Sequence, residues 1–180
     1  MRVIAGAAKG RRLLAPRGEG TRPMMDRARE GLFSSLGERV AGARVLDLYA
    51  GSGSLGLEAL SRGAETAVFV ERSRAALAAL RANVAAVGLG GEVVAADVDD
   101  YLERAAGPYD LVFVDPPYAR PLASVESTLR RLPALLAAGG TIVVHRRAGE
   151  GLGRLPGLTV IDRRRYGDTE ITRLVKEEAL

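Results

Sequence analysis

From Arg44 onward, short apolar runs alternate with longer stretches patterned for helices, and this rhythm constrains the chain more than any other feature. The runs Arg44–Tyr49, Thr66–Val70, Glu92–Ala96, Leu111–Val114 and Thr141–His145 read as strands. Helical patterns over Leu55–Ser61, Ser73–Ala86, Val98–Ala105 and Ser124–Ala137 separate them, the last closed by Gly139-Gly140. Strict alternation of this kind predicts a mostly parallel sheet with helices on both faces, a Rossmann-like α/β fold. Two further strands, Leu158–Arg163 and Glu170–Val175, have no helical pattern between them, which predicts an antiparallel hairpin and seven strands in all. Upstream, Val3–Ala5 and Arg12–Ala15 are expected to pair as a small hairpin around Gly10. Arg17–Pro23 reads as a loop. Asp26 is placed to N-cap a helix from Arg27 to about Val40, with Ala28, Leu32, Phe33 and Leu36 at helical spacing and Gly42 at its end. The expected organisation is an N-terminal arm over residues 1–42 packed on a domain of residues 43–180.

The 180 residues, 47% of them hydrophobic, suffice for one domain with a real core. No apolar run approaches a membrane span, and the N-terminus lacks the apolar segment of a secretory leader, so a cytoplasmic protein is expected. There are no cysteines, which removes disulfides, thiolate metal sites and cysteine nucleophiles. The single histidine, His145, cannot build a histidine metal site, and no metal is expected. The net charge of +4 conceals an asymmetry: residues 1–44 hold ten Lys or Arg against four Asp or Glu, and the remainder sixteen against eighteen. A basic arm on a near-neutral body points to a polyanionic partner, with nucleic acid favoured.

Asp115-Pro116-Pro117-Tyr118 ends the apolar run Leu111–Val114. Two prolines can neither continue a sheet nor open a helix interior, so the chain leaves the strand stiffly. A carboxylate, a fixed carbonyl and an aromatic face are thereby held at a strand's C-terminal edge, where open α/β sheets bind ligands. This set suits a flat group bearing an amine, its ring on Tyr118 and its N–H groups on Asp115 and the Pro116 carbonyl.

The first strand of the rhythm runs through Asp47 into Tyr49-Ala50-Gly51-Ser52-Gly53 and on to Gly56, a Gly-x-Gly-x-x-Gly loop opening a helix. Such glycines let a ligand approach the backbone and the helix N-terminus. Glu71 ends the second strand, where an acid can accept from ribose hydroxyls. Asp97, followed by Val98, ends the third and either meets an adenine edge or caps the next helix. The glycine spacing alone fits a nicotinamide dinucleotide as well as S-adenosylmethionine. A dinucleotide leaves Asp-Pro-Pro-Tyr without a task, whereas S-adenosylmethionine gives both motifs a part in one reaction. Tyr49 is expected to pack beside the loop without a chemical role.

Asp47–Gly56 resembles the S-adenosylmethionine motif of class I methyltransferases, and Asp115–Tyr118 resembles the Asp/Asn-Pro-Pro-Tyr motif of amino-group methyltransferases. The segment Thr21-Arg22-Pro23-Met24-Met25-Asp26-Arg27-Ala28-Arg29-Glu30-Gly31-Leu32-Phe33 is similar to a signature of the RsmD family. Val3–Gly6, Lys9–Leu13 and Tyr166–Thr169 extend the likeness to nearly the whole chain. Met24-Met25 departs from it, because the family usually has two threonines there. The resemblance implies a class I methyltransferase fold and transfer from S-adenosylmethionine to the N2 amine of a guanine in 16S ribosomal RNA. Lys9, Arg11, Arg12, Arg22, Arg27 and Arg29 would then hold RNA phosphates, although Arg27 and Arg29 also fit as solvated helix residues. Arg163-Arg164-Arg165 either extends the basic face or guards an edge strand. His145 reads as packing or surface. A monomer is the simplest expectation. Two other functions remain open on the sequence: amino methylation of DNA adenine or protein glutamine, and RNA binding without catalysis.

Overall fold

The computed structural model describes residues 1–17 and 24–178. Seven strands form one sheet: β1 (Arg44–Leu48), β2 (Thr66–Glu71), β3 (Glu92–Ala95), β4 (Tyr109–Val114), β5 (Leu136–Arg147), β6 (Leu158–Tyr166) and β7 (Thr169–Lys176). Their spatial order is β3-β2-β1-β4-β5-β7-β6. The first five are parallel, while β7 pairs antiparallel with β5 and β6. The expected mostly parallel sheet and C-terminal hairpin are both present.

The strands at the centre are apolar on both sides because both faces are covered. Helices α1 (Asp26–Leu36), α2 (Ser54–Ser61) and α3 (Arg74–Val87) pack on one face, where Leu32, Phe33, Leu57, Leu80, Phe69 and Phe113 share a core. Helices α4 (Val98–Leu102) and α5 (Leu122–Arg131) pack on the other with Leu46, Val112, Val114, Leu129 and Ile142. Val3 and Leu13 enter the first core, so the N-terminal residues are packed on the sheet domain.

Four local expectations are corrected. The N-terminal hairpin reduces to a single antiparallel bridge, Arg2 to Arg12, supported by the Val3 N–H donating to the Arg11 carbonyl at 2.9 Å. Main-chain bonds from the Leu13 N–H to the Met1 carbonyl and from the Gly10 N–H to the Val3 carbonyl accompany it, and side chains of the body accept from the Ile4, Ala5, Ala8 and Leu14 N–H groups. Met25, not Asp26, is the N-cap of α1, and it makes no side-chain cap bond. Asp26 lies in the first turn and pairs with Arg29 at 3.1 Å. Helix α1 stops at Gly37 (φ 53°), five residues before Gly42, because glycine takes this left-handed backbone without strain. A short 3₁₀ turn over Gly37–Arg39 follows. Helix α5 ends at Arg131 rather than Ala137. Pro133 cannot donate within a helix, so a 3₁₀ turn (Leu132–Leu135) leads into β5 at Leu136. The register against β4 then jumps from Tyr109↔Leu136 to Leu111↔Thr141, which accommodates Gly139-Gly140 inside a strand.

Candidate functional site

Because β1 to β5 are parallel, their C-terminal ends share one edge of the sheet. The order reverses direction between β1 and β4, and the crevice at such a switch point is where an open α/β sheet takes its ligand. The glycine loop leaves β1 and Asp-Pro-Pro-Tyr leaves β4. The register Leu48↔Val114 therefore sets Tyr49 beside Asp115, and Leu48↔Val70 sets the loop beside Glu71. Motifs separated by more than sixty residues in sequence become neighbours for this reason alone.

The loop is held by acids from beneath. The Gly56 N–H donates to Asp47 Oδ2 at 2.9 Å, and Asp47 is only 1% exposed, with Oδ1 buried and unpartnered. Burial pushes the Asp47 carboxyl well above the usual carboxylate range. The Gly56 bond opposes this, and the nearby Asp115 and Glu71 charges add to it. The Gly51 N–H donates to Glu71 Oε2 at 2.8 Å, while Glu71 Oε1 accepts from the Arg72 and Ser73 N–H groups. Asp97 does cap α4, accepting from the Asp99 N–H at 2.8 Å, and also meets Arg72 at 3.0 Å. Val98 is buried behind it.

The three motif glycines have different tasks. A Cβ on Gly56 would lie 2.4 Å from the Phe69 ring, and one on Gly53 2.5 Å from Leu80, so both serve close packing of loop, helix and sheet. A Cβ on Gly51 (φ 58°) would meet nothing within 4 Å, which leaves that backbone open to a ligand. Ala50 and Ser52 are buried to either side. Tyr49 has φ 57°, the one non-glycine positive φ among the described residues, a strained turn of the kind that collects at functional sites. Its hydroxyl lies 3.2 Å from Thr128 Oγ1 on α5, and the Arg120 guanidinium stands 5.3 Å from its ring centroid. The tyrosine thus packs beside the loop.

On the facing side, Pro116 is buried and Pro117 exposed. Strand β5 fastens this loop. Arg146 donates to the Pro117 carbonyl at 3.0 Å and to the Arg120 carbonyl at 2.9 Å, and Glu150 holds its guanidinium in place. Arg147 stands 5.2 Å over the Tyr118 ring. Asp115 Oδ1 lies 2.8 Å from His145 Nδ1, and the Tyr118 and His145 ring centroids are 6.2 Å apart. His145, which reads from the sequence as packing or surface, is buried and bonded to Asp115. The signal was the shared length of two apolar runs: Leu111–Val114 before Asp115 and Thr141–Val144 before His145 align residue for residue.

Of the basic residues expected to meet RNA, Lys9, Arg11, Arg12 and Arg27 are exposed, and Arg22 lies outside the described residues. Arg29 is the exception. It is fully buried, bonded to the Arg2 carbonyl and Asp26, with Nε and Nη1 unpartnered, so it has no surface to offer a phosphate. Among the described residues no cluster of His, Asp and Glu is placed to hold a metal, and no helix is long and apolar enough to cross a membrane.

An open glycine backbone, carboxylates ending three adjacent strands and Asp-Pro-Pro-Tyr across the switch point define a class I methyltransferase, the class whose cofactor is S-adenosylmethionine. Residues 1–175 match the model of the family described as Conserved hypothetical protein 95, and the chain belongs to that family. It is 37% identical over 180 residues to Ribosomal RNA small subunit methyltransferase D of Escherichia coli (strain K12), covering 99% of this chain and 91% of that one. The solved yhhF structure from Escherichia coli superposes with a TM-score of 0.87 at 35% identity, over 98% of each chain. That of Thermus protein TTHA0928 gives 0.84 at 37% identity, over 98% of this chain and 99% of the other.

Proposed function

We propose that this chain transfers a methyl group from S-adenosylmethionine to the N2 amine of a guanine in 16S ribosomal RNA. The observation that carries the reading is the Asp115 carboxylate, partly exposed beside Tyr118 and directly across from the glycine loop. The name of the Escherichia coli relative supports the ribosomal RNA part. On this reading residues 1–42 form the arm that holds RNA and residues 43–180 the catalytic domain, working in the cytoplasm as a monomer.

S-adenosylmethionine supplies a methyl group already activated on a sulfonium. Ala50, Gly51, Ser52 and Gly53 shape the loop that would hold it, with Asp47 and Gly56 bracing that loop from inside. Glu71 would accept from the ribose hydroxyls, after exchanging part of its hold on the Gly51 N–H. Asp97 and the Val98 backbone would meet the adenine edge, and Tyr49 would wall the loop.

The guanine amine is a weak nucleophile because its lone pair is delocalised into the ring. Asp115 and the Pro116 carbonyl accept its two hydrogens and favour a pyramidal nitrogen. Those acceptors gain most as positive charge develops on nitrogen. When bound, S-adenosylmethionine would supply the methyl group and retain the C–S electrons on its sulfur, while Asp115 and the Pro116 carbonyl hold the amine that takes the methyl and afterwards loses one proton. Tyr118 stacks on the base, and Pro117 stiffens the turn that presents it, so positioning supplies much of the rate. The base must be unpaired or flipped to reach the cleft. Lys9, Arg11, Arg12, Arg22 and Arg27 hold phosphates, giving salt-sensitive affinity.

Incubation with methyl-labelled S-adenosylmethionine and small subunits lacking native methylations, followed by nucleoside analysis, tests this. N2-methylguanosine is the expected product. Parallel arms with naked 16S RNA, duplex DNA and protein extract identify the substrate, and label found only in DNA or protein overturns the RNA assignment. Asp115→Ala is expected to retain cofactor binding by calorimetry and to lose most turnover.

A further inference from the structure

We propose that His145 is a positioning residue for the transfer, fixing Asp115 in the orientation that accepts the substrate amine. This rests on the reading of Asp115 as amine acceptor. Both residues lie one step beyond the Val114↔Val144 pair, so they stand side by side on adjacent strands. Both follow the alternation of Phe113 and Val143, whose side chains share one core, and so point to that same face of the sheet. Nδ1 lies 2.8 Å from Oδ1. His145 is 3% exposed and Asp115 26%, so the imidazole is locked by packing while the carboxylate remains partly open to solvent.

A carboxylate on a short side chain turns easily about its last torsion, whose energy profile is broad. In the tautomer with hydrogen on Nδ1, the ring donates to one oxygen and removes that freedom. The other oxygen is then presented to the amine in one orientation. The same ring flanks Tyr118, so acceptor and stacking platform are set by one buried group. Nothing brings His145 itself to the substrate; it acts through Asp115.

Leu and Asn have nearly the same shape, but only Asn can place an N–H where Nδ1 now lies. The test compares His145→Asn with His145→Leu in the full chain, using undermethylated small subunits as substrate and calorimetry with S-adenosylmethionine. The Leu variant is expected to lose roughly 10- to 100-fold in kcat, with KM and cofactor affinity within about twofold of wild type. The Asn variant should recover most of that loss. Equal kcat in the two variants, or loss of cofactor binding by the Leu variant, overturns the proposal. Asp115→Ala is measured alongside. If it stays active, the Asp115 reading fails and the His145 role falls with it. If it is inactive while the Asn and Leu variants match, the His145 role alone fails.

Discussion

A carboxyl buried as deeply as Asp47, with one oxygen bonded and the other bare, is costly to ionise. Its folded-state affinity for a proton is raised above that of the unfolded chain, where a carboxyl titrates near about 3.9. The stability contributed by its protonated form is complete below that value and is lost as pH rises through the folded pKa. Asp47→Asn removes this titration while keeping an acceptor for Gly56. The melting temperature of wild type minus that of the variant should therefore fall as pH is raised from about 4 towards neutrality. A constant difference in calorimetric scans across that range would contradict the assignment. At this scale the sequence named Asp47, Glu71, Asp97 and Asp115 by their places at strand ends. It did not show that Asp47 faces inward and fastens Gly56, because a strand residue's environment depends on what covers its face.

Among the elements, α1 begins without a side-chain cap. Met25 occupies the N-cap with extended backbone angles (φ −57°, ψ 145°) but has no oxygen to offer the first-turn N–H groups. Met25→Thr should stabilise the fold by about 1 kcal/mol, read as a shift in urea midpoint at unchanged slope. Met24 is different, since it is 3% exposed and belongs to the core. Existence and direction were legible for the seven sheet strands, because buried parallel strands are short apolar runs joined by helices and the last two lack a helix between them, but not for the N-terminal pair, which reduces to one bridge. Boundaries were not legible at Leu36–Gly42 and Leu132–Gly140. There, several glycines and a proline offered competing stops, and packing chose among them.

Across the whole molecule, the N-terminal segment is fixed by buried side chains of α2 and α3. Glu58, fully buried, accepts from the Ile4 and Ala5 N–H groups at 2.8 and 3.0 Å and from Arg62. Asn83 accepts from the Leu14 N–H and donates to the carbonyls of Leu14 and Ser52, tying the arm to the glycine loop. The exposed cations of that arm and the buried Arg29 should therefore separate experimentally. Arg27→Ala should reduce the slope of log affinity for 16S RNA against log salt by roughly 0.7 to 0.9 and leave the melting temperature nearly unchanged. Arg29→Ala should lower the melting temperature and leave the slope intact, because a buried guanidinium releases no counterion from RNA. A slope change in the second variant would contradict its buried placement.

The sequence by itself determined the class of fold, the order of its strands along the chain and both motifs, because periodicity, glycine and proline act locally. Tertiary structure alone decided which motif residues face each other. Register across β1, β4 and β5 brought Asp115 level with the end of β1 and beside His145. Burial separated Arg29 from Arg27, two residues with the same charge two positions apart on one helix. The physical reason is that a hydrogen bond or a desolvated charge depends on distance in space, and only the closed sheet with its covering helices sets that distance.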